Sequence, residues 1–254
     1  MNTYGAPERI ALIGGTSEIG LAVLDALTAW NGEIRTALIG RASAALTQAG
    51  ATRTSCGGTF LYDAEQTGSI TSALQAADAA IGGVDLIVLA SGVLPRERDA
   101  SSEELARAGI VNYSGAIEAI DAAVATLAAN GGGHLCYISS IAAVRVRADM
   151  PAYSSAKQAV ERYIVAKSEN FCAQGVSVHI VRPGYVHTKM SAHVKPAPFA
   201  QRPQQVADAL VRHLRKRART QHPRVHVLWS SVAVAAIGAV LRILPRRLLG
   251  LLAK

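Results

Sequence analysis

Ile10-Ala11-Leu12-Ile13-Gly14-Gly15-Thr16-Ser17-Glu18-Ile19-Gly20 is the stretch that decides the fold. A short apolar run ends at Gly14, and beyond Gly20 the residues Leu21, Leu24 and Leu27 recur at helical spacing. Strand, glycine turn and helix in this order form the context in which a glycine-rich loop receives a dinucleotide. Glycine lets the backbone approach a pyrophosphate, and the helix N-terminus offers unpaired N–H donors and positive potential. Taken alone, such a loop also fits an ordinary tight turn between strand and helix. Outward from it, six more apolar runs at 36–39, 59–61, 86–90, 135–138, 176–181 and 225–228 join 10–13 as strands. Helical stretches separate most of them. That alternation predicts an α/β chain with a doubly wound parallel sheet of about seven strands.

The second informative string is Tyr153-Ser154-Ser155-Ala156-Lys157. Residues four apart share one helix face, one turn from each other. A phenol titrates near ~10, too high for proton transfer at neutral pH, and an ammonium beside it should pull that value toward neutrality. Ser140 lies thirteen residues upstream, at the end of the strand-like run Leu135-Cys136-Tyr137-Ile138-Ser139-Ser140. Ser, Tyr and Lys in this arrangement suit proton transfer to or from a carbinol oxygen while a hydride moves. A lone Tyr-x-x-x-Lys is common on solvated helix faces, and it is the glycine loop that gives the pair its meaning.

These two elements, about 140 residues apart, resemble the short-chain dehydrogenase/reductase family, and the resemblance covers nearly the whole chain. It implies a catalytic set of Asn112, Ser140, Tyr153 and Lys157, with Asn112 steadying a water that links Lys157 to solvent. It places the cofactor against Gly14, Thr16, Ser17, Glu18, Ile19 and Gly20, with Asp63 on the adenine and Ala90, Ser91 and Gly92 on the next strand end. It assigns Tyr153 and Lys157 to the nicotinamide ribose, and Pro183, Gly184, Val186 and Thr188 to the carboxamide. Two departures stand out: Glu18 occupies a usual glycine position, and Leu89-Ala90-Ser91-Gly92 replaces Asn-Asn-Ala-Gly. A glutamate there would repel a pyrophosphate unless it points to solvent or caps the helix. The cofactor is NADH or NADPH. Gly40-Arg41 ends the second strand without an acid, so Arg41 could pair a 2′-phosphate, whereas Ser17 stands where many NADP enzymes of the family carry a basic residue.

Within the family, Gly14 to Gly20, Ser139 through Arg145-Val146-Arg147 to Tyr153, and Arg182-Pro183-Gly184 to Met190-Ser191-Ala192-His193 are similar to an actinobacterial branch. That branch reduces decaprenylphosphoryl-2-keto-erythro-pentose in cell-wall arabinan synthesis, after a flavin-dependent oxidase has made the ketone. The resemblance therefore implies a polyprenyl-phosphate sugar substrate and a flavoprotein partner. Arg145, Arg147 and Lys195 are candidates to hold its phosphate, and for either arginine a surface pair with a carboxylate is the plainer reading. Residues 190–203, with Pro196 and Pro198, read as a lid. A dehydrogenase of another hydrophobic alcohol (steroid, retinoid or fatty acyl) and a non-catalytic dinucleotide-binding regulator stay open. The intact catalytic set argues against the regulator.

The 254 residues suit one domain: a Rossmann-type dinucleotide-binding and catalytic unit over 1–230 and a helical tail over 231–254. Cys56, Cys136 and Cys172 lack metal spacing and suggest buried thiols in a reducing compartment. His187 and His193 read as polar loop residues, and no metal is expected. No secretory signal is visible at the start, so the expected location is cytoplasmic. Charge is uneven: residues 209–254 hold ten Lys or Arg and no acid, which leaves −2 for residues 1–208 out of the overall +8. No groove-reading or aromatic motif accompanies the basic run 212–219, so no nucleic-acid partner is expected. After the last strand about a dozen apolar residues remain, short of the ~20 that span a bilayer. An apolar helix with arginines around it suits the inner face of a membrane; a subunit contact in a homo-oligomer is the competing reading.

Overall fold

A computed structural model of the chain describes residues 5–97, 99–217 and 222–243. Seven strands alternate with helices: β1 (Arg9–Ile13), α1 (Glu18–Asn31), β2 (Arg35–Gly40), α2 (Ala44–Ala51), β3 (Cys56–Leu61), α3 (Ser69–Ile81) and β4 (Leu86–Leu89). Then come α4 (Ser102–Gly109), α5 (Gly115–Ala129), β5 (Gly133–Ile138), α6 (Pro151–Ala166), α7 (Ser168–Ala173), β6 (Val176–Arg182), α8 (Pro203–Arg217), β7 (Val225–Trp229) and α9 (Val232–Ile243). The strands form one sheet in the order β3-β2-β1-β4-β5-β6-β7, with every neighbouring pair parallel. The expected doubly wound sheet is therefore what the chain forms.

Strand alternation builds two cores. Ala11 and Ile13 face α3, α5 and α6, while Ile10 and Leu12 face α1, α2 and α8. Both faces are covered, which is why the inner strands read as unbroken apolar runs. The strand order reverses between β1 and β4, and ligands of such sheets sit in the crevice outside the strand ends at that point. Gly14 and Ala90 lie there. Gly14 has φ +93°, and a Cβ on it would come within 2.7 Å of Ser91 N and 2.8 Å of the Ala90 carbonyl carbon. Only glycine fits.

The tail divides. Its first part, α9, packs on the domain: a Cβ on Gly238 would lie 2.2 Å from the Trp229 ring, Val234 is buried, and Arg145 Nη1 donates to Leu241 O at 3.1 Å. Residues 244–254, the remainder of the expected tail, and Arg219 of the basic run lie outside the described residues. Among the described residues no helix is long and apolar enough to cross a membrane.

One cluster has no counterpart in the sequence reading. On the sheet face covered by α8, His134 of β5, His179 of β6, His226 of β7 and His213 of α8 converge. His134 Nδ1 is 2.9 Å from His179 Nε2, and His179 Nδ1 is 3.1 Å from His213 Nε2. His226 stacks on His179 with ring centroids 5.2 Å apart. Strand register explains the meeting, because His179 pairs with Cys136 in β5 and His226 in β7, and His134 shares the face of Cys136.

Candidate active site

The glycine loop leaves β1 with the Gly14 and Gly15 amides both donating to Ile39 O, at 2.8 and 2.9 Å. Ser17 then caps α1, its side chain accepting from Gly20 N at 3.3 Å, a contribution of about 1 kcal/mol to helix stability. A Cβ on Gly20 would lie 2.6 Å from Leu12 Cδ1 and 3.2 Å from Ala90 Cβ, so this glycine allows the helix to lie close on the sheet. Positive φ at Gly14, the α1 N-terminus and the bare crevice beside Ala90 fit a dinucleotide pyrophosphate. Glu18 does neither of the two things expected of it. Its Oε2 accepts from the Lys189 backbone N–H at 2.6 Å, 171 residues away in sequence, and so ties the glycine loop to the loop beyond β6.

That second loop is tied down by its own hydrogen bonds. Thr188 caps a 3-10 turn, Lys189–Ser191, through reciprocal bonds with Ser191. Val186 bridges Gln201, and the His187 amide donates to Gln201 O at 2.9 Å. A cleft of about 480 Å³ lies between the two loops, walled by Glu18, His187, Thr188, Lys189 and Pro196. Lys195 is exposed and does not line it. Elsewhere at the cofactor positions, Arg41 is exposed directly after β2. Asp63 lies two residues past the end of β3 rather than closing the strand, and its Oδ1 accepts from Glu65 N at 3.1 Å.

The catalytic candidates meet at the ends of β4 and β5. Asn112, buried, lies on a π-helical turn, Ile110–Ser114, between α4 and α5; such wide turns recur at functional sites. Its amide is spent on Val93, accepting from Val93 N at 3.0 Å and donating to Val93 O at 2.8 Å. Its side chain therefore pins the loop after β4. A Cβ on Gly92 would lie 3.1 Å from Asn112 Oδ1 and 3.7 Å from Lys157 Nζ, so Gly92 keeps this corner open. Ser140 caps a 3-10 turn, Ile141–Val144, its Oγ accepting from Ala142 N at 3.1 Å.

Tyr153 and Lys157 are one turn apart on α6, as the spacing requires. Pro151 starts this helix, and Glu97 covers its first turn, accepting from Ala152 N at 2.8 Å and Tyr153 N at 2.7 Å. Lys157 is buried, donates to Ile138 O at 3.1 Å and lies 4.8 Å from the Tyr137 ring centroid and 5.9 Å from that of Tyr153. One expectation is corrected here. Burial pushes the Tyr153 phenol up to about 12, only partly offset by its hydrogen bond with Ser140. Burial thus dominates the surroundings of this phenol, which stays protonated at neutral pH. Burial also lowers Lys157 to about 8, against the pull of Glu161 in the other direction.

Two of the phosphate candidates have partners within the chain. Arg147 forks onto Asp149, Nε to Oδ1 at 2.9 Å and Nη2 to Oδ2 at 2.6 Å, the surface pair with a carboxylate that is the plainer reading. Arg145 donates to the last turn of α9, where a helix C-terminus favours a cation. Sequence reasoning missed Glu18 as a tie, Glu97 as a cap and Glu161 as a buried partner.

Fold and site together define a dinucleotide-dependent oxidoreductase, and the comparisons agree. The short chain dehydrogenase family model matches residues 8–198, and the chain belongs to the short-chain dehydrogenase/reductase family. It is 28% identical over 251 residues to an uncharacterised oxidoreductase of Mycobacterium tuberculosis, covering 96% of each chain. It is 32% identical over 249 residues to one of Streptomyces coelicolor, covering 96% of this chain and 95% of the relative. A gluconate 5-dehydrogenase from Burkholderia cenocepacia, solved with NADP and tartrate, superposes with a TM-score of 0.77 at 16% identity, over 90% of this chain and 95% of that one; the likeness is one of fold. As a member of that family, the chain is an NAD(P)-dependent oxidoreductase acting on CH–OH and keto groups.

Proposed function

We propose that the chain works as a carbonyl reductase in which Tyr153 is the proton donor. One observation carries this: Ser140, Tyr153 and Lys157 are assembled beside the glycine-loop crevice, with Ser140 hydrogen-bonded to Tyr153 and Lys157 one turn away. When bound, the nicotinamide cofactor supplies the hydride. Gly14, Gly20 and the α1 N-terminus would hold its pyrophosphate, Asp63 its adenine, and Val186 and Thr188 its carboxamide. Ser140 orients the carbonyl oxygen, and Tyr153 gives that oxygen its proton. Lys157, still largely charged below about pH 8, stabilises the phenolate so formed and passes a proton back to it. Tyr153→Phe removes the proton and keeps the ring. Turnover of a ketone should fall at least ~10²-fold with cofactor affinity nearly unchanged; near-wild-type turnover would refute the role.

For the substrate we propose a ketone on a polyprenyl-phosphate sugar, decaprenylphosphoryl-2-keto-erythro-pentose, supplied by a flavin-dependent oxidase. Support comes from the branch resemblance and from α9, whose Val232, Val240 and Ile243 are exposed and whose end is followed by Pro245-Arg246-Arg247. Apolar surface with adjacent arginines suits the inner face of a membrane, where such a lipid lies. A second reading, a different hydrophobic ketone without a phosphate, is favoured by the engagement of Arg145 and Arg147 elsewhere. Turnover of the keto-pentose lipid beside steroid and fatty-acyl ketones, with each cofactor, decides between them.

A further inference from the structure

One turn beyond Lys157 on α6 lies Glu161, a buried carboxylate with no place in the reaction described above. Three segments meet on it. Ser139, the residue before Ser140, donates its hydroxyl to Glu161 Oε1 at 2.6 Å. Arg182, the residue before Pro183, reaches both carboxylate oxygens through Nε, at 3.0 and 3.2 Å, and Oε2 again through Nη2. The remaining face of Arg182 lies over Trp229, 5.1 Å from the ring centroid, and Trp229 is held by α9 at Gly238. A buried ion pair is a poor source of net stability, since desolvation offsets most of the attraction. What singles this pair out is its place: it joins the ends of β5 and β6, each one residue from a site residue, to the helix that carries Tyr153 and Lys157.

Resting on the reading of Tyr153 and Lys157 as the proton-transfer pair, we propose that Glu161 is a positioning residue of the active site. Its carboxylate fixes the Ser140 and Pro183-Gly184 strand ends against α6 and sets a permanent negative charge one turn from Lys157. The groups around Lys157 are the phenols of Tyr137 on β5 and Tyr153 on α6, the carboxylate of Glu161, and Arg182 of β6 behind it. Glu97 sits at the start of the helix and Asp121 of α5 meets Tyr163 further along it. Of the charges on Lys157, the one that opposes burial is Glu161. Without it a buried ammonium loses its proton more readily.

The test is Glu161→Gln, with Glu161→Asp as the conservative variant, read by the NMR titration of ¹³C-labelled Lys157 in the protein without cofactor or substrate. The signal is assigned by its loss in Lys157→Met. The wild-type midpoint near about 8 should fall by roughly one unit in Glu161→Gln, and Glu161→Asp should restore part of it. At pH 8 such a fall leaves about a tenth of Lys157 charged instead of about half, so the alkaline limb of kcat should move down by the same amount. If Glu161→Gln does not fold, the double variant Glu161→Leu with Arg182→Met removes both charges together and is expected to show a smaller fall in the same direction, because the repulsion from Arg182 goes with the attraction of Glu161. A folded variant with the wild-type Lys157 midpoint and pH profile overturns the proposal. Should Tyr153→Phe keep its turnover, the catalytic reading fails instead, and the Lys157 titration still decides what Glu161 does.

Discussion

Acidifying the protein from pH 7 to pH 4 should cost it stability through the histidine cluster, and the size of the loss follows from the geometry. His179 is fully buried between His134 and His213, and burial, then the neighbouring imidazoles, holds it well below the ordinary histidine value. Burial lowers His134 and His213 to about 4, and His226 moves in the same direction. A group whose folded pKa is depressed lets the unfolded chain bind protons that the native state refuses. Unfolding therefore becomes easier as pH falls below about 6.5, the unfolded value, and the shares of His134 and His213 level off below about 4. For His134 the interval of about 2.5 units corresponds to about 3 kcal/mol. His213 is partly exposed, so water screens its share and it adds less than an equal amount. A loss of about 3 kcal/mol is a large part of a domain's 5–15 kcal/mol and lowers Tm by about 6 °C or more at this size.

The assay is urea unfolding followed by tryptophan fluorescence at intervals from pH 7.5 to pH 4, in wild type and in His134→Gln. Glutamine keeps a polar partner for His179 but cannot titrate. The variant should be less stable than wild type at pH 7.5 and gain on it by about 3 kcal/mol as pH falls to 4. Parallel stability curves for the two proteins would refute the reasoning, as would wild-type stability that does not fall between pH 6.5 and 4.5.

Other outcomes are expected. Arg41→Ala should weaken NADPH binding roughly tenfold to hundredfold and spare NADH if Arg41 pairs a 2′-phosphate, the loss expected for a charged hydrogen bond; equal effects on both cofactors, measured by fluorescence titration, would exclude that pairing. Gly14→Ala and Gly32→Ala both place a side chain at positive φ, +93° and +73°, but only Gly14 meets backbone within 3 Å. Gly32→Ala should therefore cost about 1 kcal/mol in denaturant unfolding, and Gly14→Ala clearly more, with loss of dinucleotide binding. Deleting residues 244–254 should weaken co-sedimentation with anionic vesicles and leave reduction of a short soluble ketone intact; full-length protein that ignores such vesicles at low salt sinks the membrane reading, and an oligomer that falls apart on deletion makes the segment a subunit contact.

What could be read in the sequence was what chain geometry makes local. β1, Gly14 and α1 are contiguous, so a period of two, a glycine and a period of 3.6 spell them out. Tyr153 and Lys157 are one helical turn apart, and Ser140 ends a strand. The pairing of Arg147 with Asp149 was just as local, and a surface pair with a carboxylate was already the plainer reading of that arginine. The environment of Tyr153 was not legible, because spacing places a lysine near a phenol but says nothing of how deeply both are buried. The histidines escaped for a different reason: they are scattered from 134 to 226, and only strand register brings them onto one face.

The same separation hides the carboxylates, and their pattern bears on how this site is held. Glu18 reaches Lys189, Glu97 the amides of Ala152 and Tyr153, Glu161 Ser139 and Arg182, and Asp85 the amides of Glu8 and Arg9. Each spans more than twenty residues and accepts from backbone or from a buried partner. Sequence shows such residues only as isolated acids, which the ordinary reading assigns to solvent. Three of the four end on a segment that carries site residues: the loop of Thr188, the first turn of α6, and the ends of β5 and β6. Beyond the strand ends the sheet ladder no longer fixes those segments, so contacts across the crevice add to the few backbone bonds that hold them. A carboxylate suits that task because it accepts several donors at once and strongly. Glu18 is then less a flaw in the glycine loop than the means by which the loop beyond β6 is fixed over it.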